Sequence, residues 1–406
     1  MTSLSTRCCI AGGGPAGMML GLLLARAGVD VVVLEKHADF LRDFRGDTIH
    51  PSTLEVMHEL GLLREFLALP HQEIRELAGM VGGERMTLAD FRHLPVSCPF
   101  IALMPQWDFL DFLGRHAARH RGFALRMRTG VTDLIVDAGR VTGVRASAPE
   151  GPLEVRADLV VGADGRDSTV RAAAGLRVRA LGAPMDVLWF RLPKRAVAAQ
   201  TLLGRIEAGR IFVMLDRGEY WQCGFVIAKG TFDDIQRAGL PAFRESVGAL
   251  VPFAADRVTD IRSWDDVKLL TVLVDRLTTW YRTGLLCIGD AAHAMSPVGG
   301  VGINLAIQDA VATANLLAEP LRRGTLTDAD LRRVQERRAL PTRIVQRFQV
   351  LAQNRVVAPV LASRARALTV PFMLRVFVWF PWLRRIPARL IGIGFRPEHV
   401  ETAARG

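Results

Sequence analysis

Residues 7–37 read "RCCIAGGGPAGMMLGLLLARAGVDVVVLEKH". Residues 7–11 have the apolar run of a buried strand. Residues 15–27 carry helical apolar spacing, and Gly28 ends that helix. Residues 30–35 form a second apolar strand. A strand–turn–helix–strand order with Gly12, Gly14 and Gly17 in the turn is a dinucleotide-binding start. The three glycines meet separate steric needs, namely the tight turn, close approach of backbone to a pyrophosphate, and close packing of helix on strand. Ala16 lies inside this turn. The helix N-terminus adds amide donors and the positive end of a dipole. Glu35 follows 23 residues after Gly12, with Lys36 beside it. A carboxylate there grips ribose hydroxyls and disfavours a 2′-phosphate, so FAD or NAD fits better than NADP.

Two later stretches repeat the pattern of a strand running into polar and small residues. Residues 158–175, "DLVVGADGRDSTVRAAAG", place Asp164 at a strand end, with Ser168 and Arg171 on the helix that follows. An Asp-Gly turn of purely structural purpose is the alternative. Residues 288–304, "IGDAAHAMSPVGGVGIN", place Asp290 after another apolar run, and glycines 299, 300 and 302 before a helix. Strand ends and helix starts are where α/β proteins hold ligands.

Taken together, "GGGPAG", "GADGRDSTVR" and "GDAAHAMSPVGGVGIN", in this order and spacing, resemble the group A flavoprotein monooxygenases. The resemblance spans about three quarters of the chain. It implies bound FAD, transient NADH or NADPH, and hydroxylation of an aromatic or quinone-like small molecule through a C4a-hydroperoxyflavin. It implies that Asp290 meets a ribityl hydroxyl. Pro297, Gly299 and Gly300 would pass the reactive face of the flavin. Gly300, Gly302, Ile303 and Asn304 would start a helix aimed at its N1/C2 edge. Arg45 would touch the pyrophosphate, and Gln106 the sugar-phosphate chain. His293 is expected to be structural, and His50 a turn residue before Pro51. Neither is expected to act as a base.

The fold expected is α/β, or α+β with a Rossmann-like FAD domain. A βαβ dinucleotide-binding domain would carry an inserted antiparallel-sheet substrate domain and C-terminal helices. The division reads as 1–75, 96–178 and 277–355 for FAD, 76–95 and 179–276 for substrate, and 356–406 as a helical segment. In the inserted part, "DVLWFRLP", "GRIFVMLDRG" and "YWQCGFVIAKG" alternate as antiparallel strands. Trp189, Arg191, Phe212, Met214, Trp221, Gln222 and Phe225 are candidates to line a pocket. Period-2 alternation turns only one face toward it. An apolar lining suits an aromatic substrate. With two tyrosines in the chain, a tyrosine network that deprotonates a phenol is poorly supported.

Composition narrows the partners. The net charge is +11, which favours anions, yet no nucleic-acid motif is present. Five cysteines without CxxC spacing or a His/Cys cluster argue against a metal and fit a reducing cytoplasm. Residues 368–395 are apolar but broken by Pro371, Pro381 and Pro387, so they do not span a bilayer. They would pack on the protein, with peripheral membrane contact or a dimer contact as alternatives. Both a monomer and a homodimer stay open. The rival functions are an FAD-dependent reductase or dehydrogenase of a prenyl or polyene lipid on the same fold, and a non-catalytic FAD-binding protein.

Overall fold

The structure, a computed structural model, describes residues 2–41, 48–194, 204–365, 368 and 372–405. Arg45 lies outside them.

Strand β1 (Thr2–Ala11) enters a glycine turn, helix α1 (Pro15–Arg26) follows, and β2 (Val31–Leu34) returns parallel to β1. Helix α2 (Pro51–Glu59) and helix α3 (Gln106–Ala117) come next, then β3 (Phe123–Arg126), β4 (Gly151–Gly162) and, late in the chain, β9 (Leu285–Cys287). The parallel order across this sheet is β9, β4, β1, β2, β3. Its central strands are near-continuous apolar runs because both faces are buried in the core. The late helix α4 (Gly302–Arg323) and α3 both pack on α1. Residues 298–323 are long and apolar enough to cross a bilayer, and 78% of their most apolar 18-residue window is buried in this core.

A second sheet is mostly antiparallel. β5 (Met185–Pro193), β6 (Gly204–Glu207), β7 (Arg210–Asp216) and β8 (Tyr220–Ala228) are four of its seven strands. The strands Glu76–Val81 and Glu84–Asp90 extend it beyond β6. The β7–β8 connection turns at Gly218, whose φ of +78° suits glycine.

The chain closes with α5 (Asp328–Ala352), a π-helical turn at Gln353–Val357, and helices α6 (Phe372–Trp379) and α7 (Arg385–Gly392). Residues 396–405 form no helix and run back along the nucleotide-binding part. There the Arg26 guanidinium donates to the Thr402 carbonyl at 2.6 Å, and the Arg405 amide donates to the Arg26 carbonyl at 2.9 Å.

Candidate flavin site

The glycine turn has the sterics that the sequence requires. A Cβ on Gly12, at φ +106°, would lie 2.4 Å from the Ala163 carbonyl oxygen, so the turn nests against the end of β4. A Cβ on Gly17 would lie 1.9 Å from the Gly12 oxygen, so α1 presses on the turn. A Cβ on Gly14 would meet nothing within 4 Å. Gly14 is the N-cap of α1, with no side chain capping the amides behind it. This open cradle at a helix N-terminus is what a pyrophosphate needs. Glu35 is buried at the end of β2, where Oε2 accepts the Gly13 amide at 2.9 Å and Oε1 the His37 amide at 3.0 Å. The carboxylate is thus fixed beside the turn. Ala16 is buried, Lys36 is exposed, and Gln106 is buried at the first position of α3. These residues fit a bound dinucleotide.

In the second motif Asp164 has partners within its own loop. Its carboxylate caps a short helix: Oδ1 accepts the Ser168 hydroxyl at 2.5 Å and Oδ2 the Val170 amide at 3.1 Å. Ser168 in turn accepts the Arg171 amide at 3.0 Å. Both carboxylate oxygens therefore already serve the loop. Arg166, to which sequence alone assigns no role, reaches Asp290 with Nε 3.1 Å from Oδ2. Sequence misses it because its partner lies 124 residues away. Its place inside the middle motif is the available signal.

Asp290 follows β9 as expected and keeps a partly exposed side chain. Before it, Gly289 is squeezed between α1 and α4: a Cβ there would lie 3.2 Å from those of Ala16 and Ala306. The loop then passes Pro297 and turns through Gly299 and Gly300, at φ +81° and +63°. A Cβ on Gly300 would lie 2.5 Å from the Thr48 hydroxyl, which donates to the Gly300 carbonyl at 2.9 Å. The amides of Gly302, Ile303 and Asn304 precede the bond from the Leu305 amide to the Val301 carbonyl, so they lie at the donor end of a 22-residue helix.

Asn304 anchors this loop through its side chain. Its Oδ1 accepts the His50 amide and the Thr53 hydroxyl, both at 2.8 Å. Its Nδ2 donates to the carbonyls of Thr48 at 3.1 Å and Gly300 at 3.3 Å. Four protein partners occupy the side chain, which leaves only its backbone to meet a ligand.

His293 is structural, as expected. Its Nε2 lies 2.6 Å from Asp309 Oδ2, with both residues buried. Asp309 also accepts from Arg338 at 2.9 Å and from the Gly289 amide at 3.1 Å. Burial raises the pKa of Asp309, but the charges and hydrogen bonds of His293 and Arg338 outweigh it and hold the carboxyl below its usual value. His50 is buried, and burial pushes its pKa down to about 4 against the pull of the Ile391 carbonyl.

The second sheet splits the pocket candidates. Phe212, Met214, Trp221 and Phe225 pack with Leu188 and Phe190 against helix Leu240–Leu250, through Phe243 and Val247. Those four are core residues, because helices cover that face. Trp189 lies on the opposite face, in the cluster with Val298 of the flavin-site loop. Arg191 and Gln222 share its parity and pair across the strands. Along this face, Trp189, Gly224, Val213 and Gly204 stand in register across four strands. The Trp189 ring lies over Gly224, where a Cβ would come within 3.1 Å of it, and Val187, Val226, Ile211 and Ile206 stand in the next row of the same face.

Residues 5–348 match the family described as FAD binding domain. The 6-methylpretetramide 4-monooxygenase of Streptomyces rimosus is 34% identical over 370 residues, covering 89% of this chain and 88% of its own. The 4-methyl-5-nitrocatechol 5-monooxygenase of a Burkholderia species is 28% identical, covering 76% of this chain and 60% of its own. Among solved structures, the OxyS anhydrotetracycline hydroxylase of S. rimosus superposes with a TM-score of 0.76 at 25% identity. That match covers 97% of this chain and 77% of the other.

The fold and site are those of an FAD-binding flavoprotein, and the chain belongs to the FAD binding domain family. Within it, the chain is an FAD-dependent oxidoreductase, a monooxygenase of small aromatic molecules that draws on NAD(P)H.

Proposed function

We propose that the substrate is a flat, fused-ring aromatic molecule, and that residues 76–95 and 179–276 act as its binding domain. The observation that carries this is the aromatic surface of Trp189, whose ring lies over Gly224 in the same row as Gly204, which has no side chain. A planar ring system lies against such a surface with little reorganisation. The relative that acts on 6-methylpretetramide, similar over nearly the whole chain, supports the same substrate class.

Bound FAD, reduced by NADH or NADPH, supplies the activation of dioxygen and the oxygen delivered to the ring. The chain's own residues do the rest. The N-terminus of α4 favours negative charge at the ligand edge it faces. Gly299 and Gly300 bring backbone close without a side chain in the way. The apolar cluster with Val298 excludes water from the face where the substrate lies. Arg191 and Gln222, beside the Trp189 row on the same face, orient oxygen substituents.

The test pairs one-ring with fused-ring phenols on the FAD-loaded protein with NADH and NADPH. It follows NAD(P)H oxidation, with mass spectrometry for one added oxygen. Fused-ring phenols are expected to accelerate NAD(P)H oxidation and gain oxygen. Gly204→Val, whose Cβ among the described residues meets the Phe212 oxygen at 3.5 Å, adds bulk to the row that holds Trp189. It is expected to raise KM at least about tenfold with flavin content unchanged. One-ring phenols turning over as well, with Gly204→Val silent, would overturn the proposal.

A further inference from the structure

Residues 337–397 hold twelve arginines and no Asp, Glu, Lys or His, so this stretch alone carries more positive charge than the whole chain's net +11. Ten of the sixteen large apolar side chains that stand exposed among the described residues fall in the same stretch. Five of these arginines and six of these apolar side chains fall within residues 375–396, where a solvated face would keep charge and apolar surface apart.

Helix α7 shows how the fold arranges this. Its inner side is anchored: Ala388 is fully buried, in one cluster with Phe91 and Leu94. A Cβ on Gly392 would lie 2.8 Å from Leu94 Cδ1. Its outer side then presents Arg385, Ile386 and Arg389, all exposed. Just before it, Trp379 and Trp382 are 57% and 60% exposed, with Val378 and Phe380 between or beside them. On the strand beneath, Asp90 is already held by two bonds from Arg92. The outer surface is thus cationic and aromatic at once.

From this surface we infer that residues 375–396 dock the enzyme on an anionic lipid surface, with Trp379, Trp382 and Ile386 entering the headgroup layer and Arg385 and Arg389 meeting lipid phosphates. Tryptophan favours the bilayer interface, and arginine pairs with phosphate. Basic side chains bind anionic leaflets cumulatively. A second copy of the chain is a poorer occupant, because like-charged arms repel. An acidic protein would use the arginines but not the exposed tryptophans.

The experiment sediments the FAD-loaded full chain with vesicles of phosphatidylcholine, with and without phosphatidylglycerol. Binding is expected only with phosphatidylglycerol and is expected to weaken as salt rises. Arg385→Gln with Arg389→Gln, and separately Trp379→Ser with Trp382→Ser, should each weaken it at least about tenfold. Flavin content should stay as in the unaltered protein, and thermal unfolding of each variant is measured beside binding so that a loss of fold is told from a loss of lipid contact. Three results would overturn the inference. One is no binding to either vesicle. Another is binding that the tryptophan variant leaves unchanged while polyglutamate competes it away, which marks simple anion attraction. The third is a dimer in solution that the tryptophan variant dissolves, with no lipid binding.

Discussion

Gly14→Ala separates a glycine kept for the ligand from one kept for the fold. Gly14 has φ −75° and ψ −176°, a conformation alanine adopts without strain, and its Cβ would point into open space. Alanine is a slightly poorer N-cap but restricts the unfolded chain, so the flavin-free protein should change by no more than about 1 kcal/mol. The methyl group, however, would stand where a pyrophosphate approaches the first amides of α1. Losing one charge-assisted amide–phosphate bond removes about 1.5–3 kcal/mol of binding. That is about 10- to 150-fold in the Kd for FAD. Gly17→Ala is the contrast. Its Cβ would lie 1.9 Å from a backbone oxygen, so the turn itself must move. Overpacking of that kind costs about 1–3 kcal/mol and should lower the stability of the flavin-free protein as well. Flavin-fluorescence titration gives the Kd, and denaturant unfolding of the flavin-free protein gives the stability. If Gly14→Ala binds FAD like the unaltered protein, or destabilises the flavin-free fold as much as Gly17→Ala does, the assignment of the cradle is wrong.

Asp290→Ala should lower the flavin retained through purification while changing flavin-free stability by less than about 1 kcal/mol, because its ion pair with Arg166 is partly solvated; unchanged flavin content would remove Asp290 from the site. Asp309→Asn removes one of the two buried counter-charges of Arg338, leaving Glu398, and should destabilise by up to about 3–5 kcal/mol in denaturant unfolding. The folded Asp309 has a depressed pKa, so its contribution is whole above the unfolded value of about 3.9 and fades as pH falls through the lower folded one. For His50, burial lowers the pKa from 6.5 to about 4, so its contribution is whole above 6.5 and is lost as pH falls toward 4. That loss is roughly 3 kcal/mol in all. His50→Asn should flatten the stability profile between these pH values, and an unchanged slope would show that another group carries it.

The nucleotide end was legible because its signals are local. Gly12 and Gly17 are read from spacing, and the clashes that enforce them involve neighbours within the same βαβ unit or the adjoining strand. Glu35 closes that unit through a single bond to Gly13. The second sheet was legible as strands but not as a surface. Alternation sorts Phe190, Phe212 and Phe225 from Trp189 and Arg191, yet parity does not say which set meets helices. The greasier set belongs to the core, because only packed helices can cover so many aromatic rings; Phe243 and Val247 do this. The opposite face carries Trp189, Gly224 and Gly204 and buries fewer aromatic rings. Arg166 and Asn304 were beyond local reading for another reason. Their partners lie more than a hundred residues off, and only the closed fold reveals them.

The late motif joins a ligand-facing loop to a buried ionic centre. Asp309 holds His293 and the Gly289 amide on one side and Arg338 on the other. Arg338 passes the charge on to Glu398, 3.2 Å away and buried on the returning tail. Such a chain of buried charges adds little net stability over an apolar core, while breaking it anywhere is costly. Its use is therefore geometric. It fixes the start of the Asp290 loop from beneath, as Asn304 fixes its end through Thr48, His50 and Thr53. Between these two anchors run Pro297, Gly299 and Gly300, which have little side chain of their own to hold them. A loop that must bring bare backbone to a planar ring cannot also pack itself. The position of that backbone is set by buried side chains on either side of it.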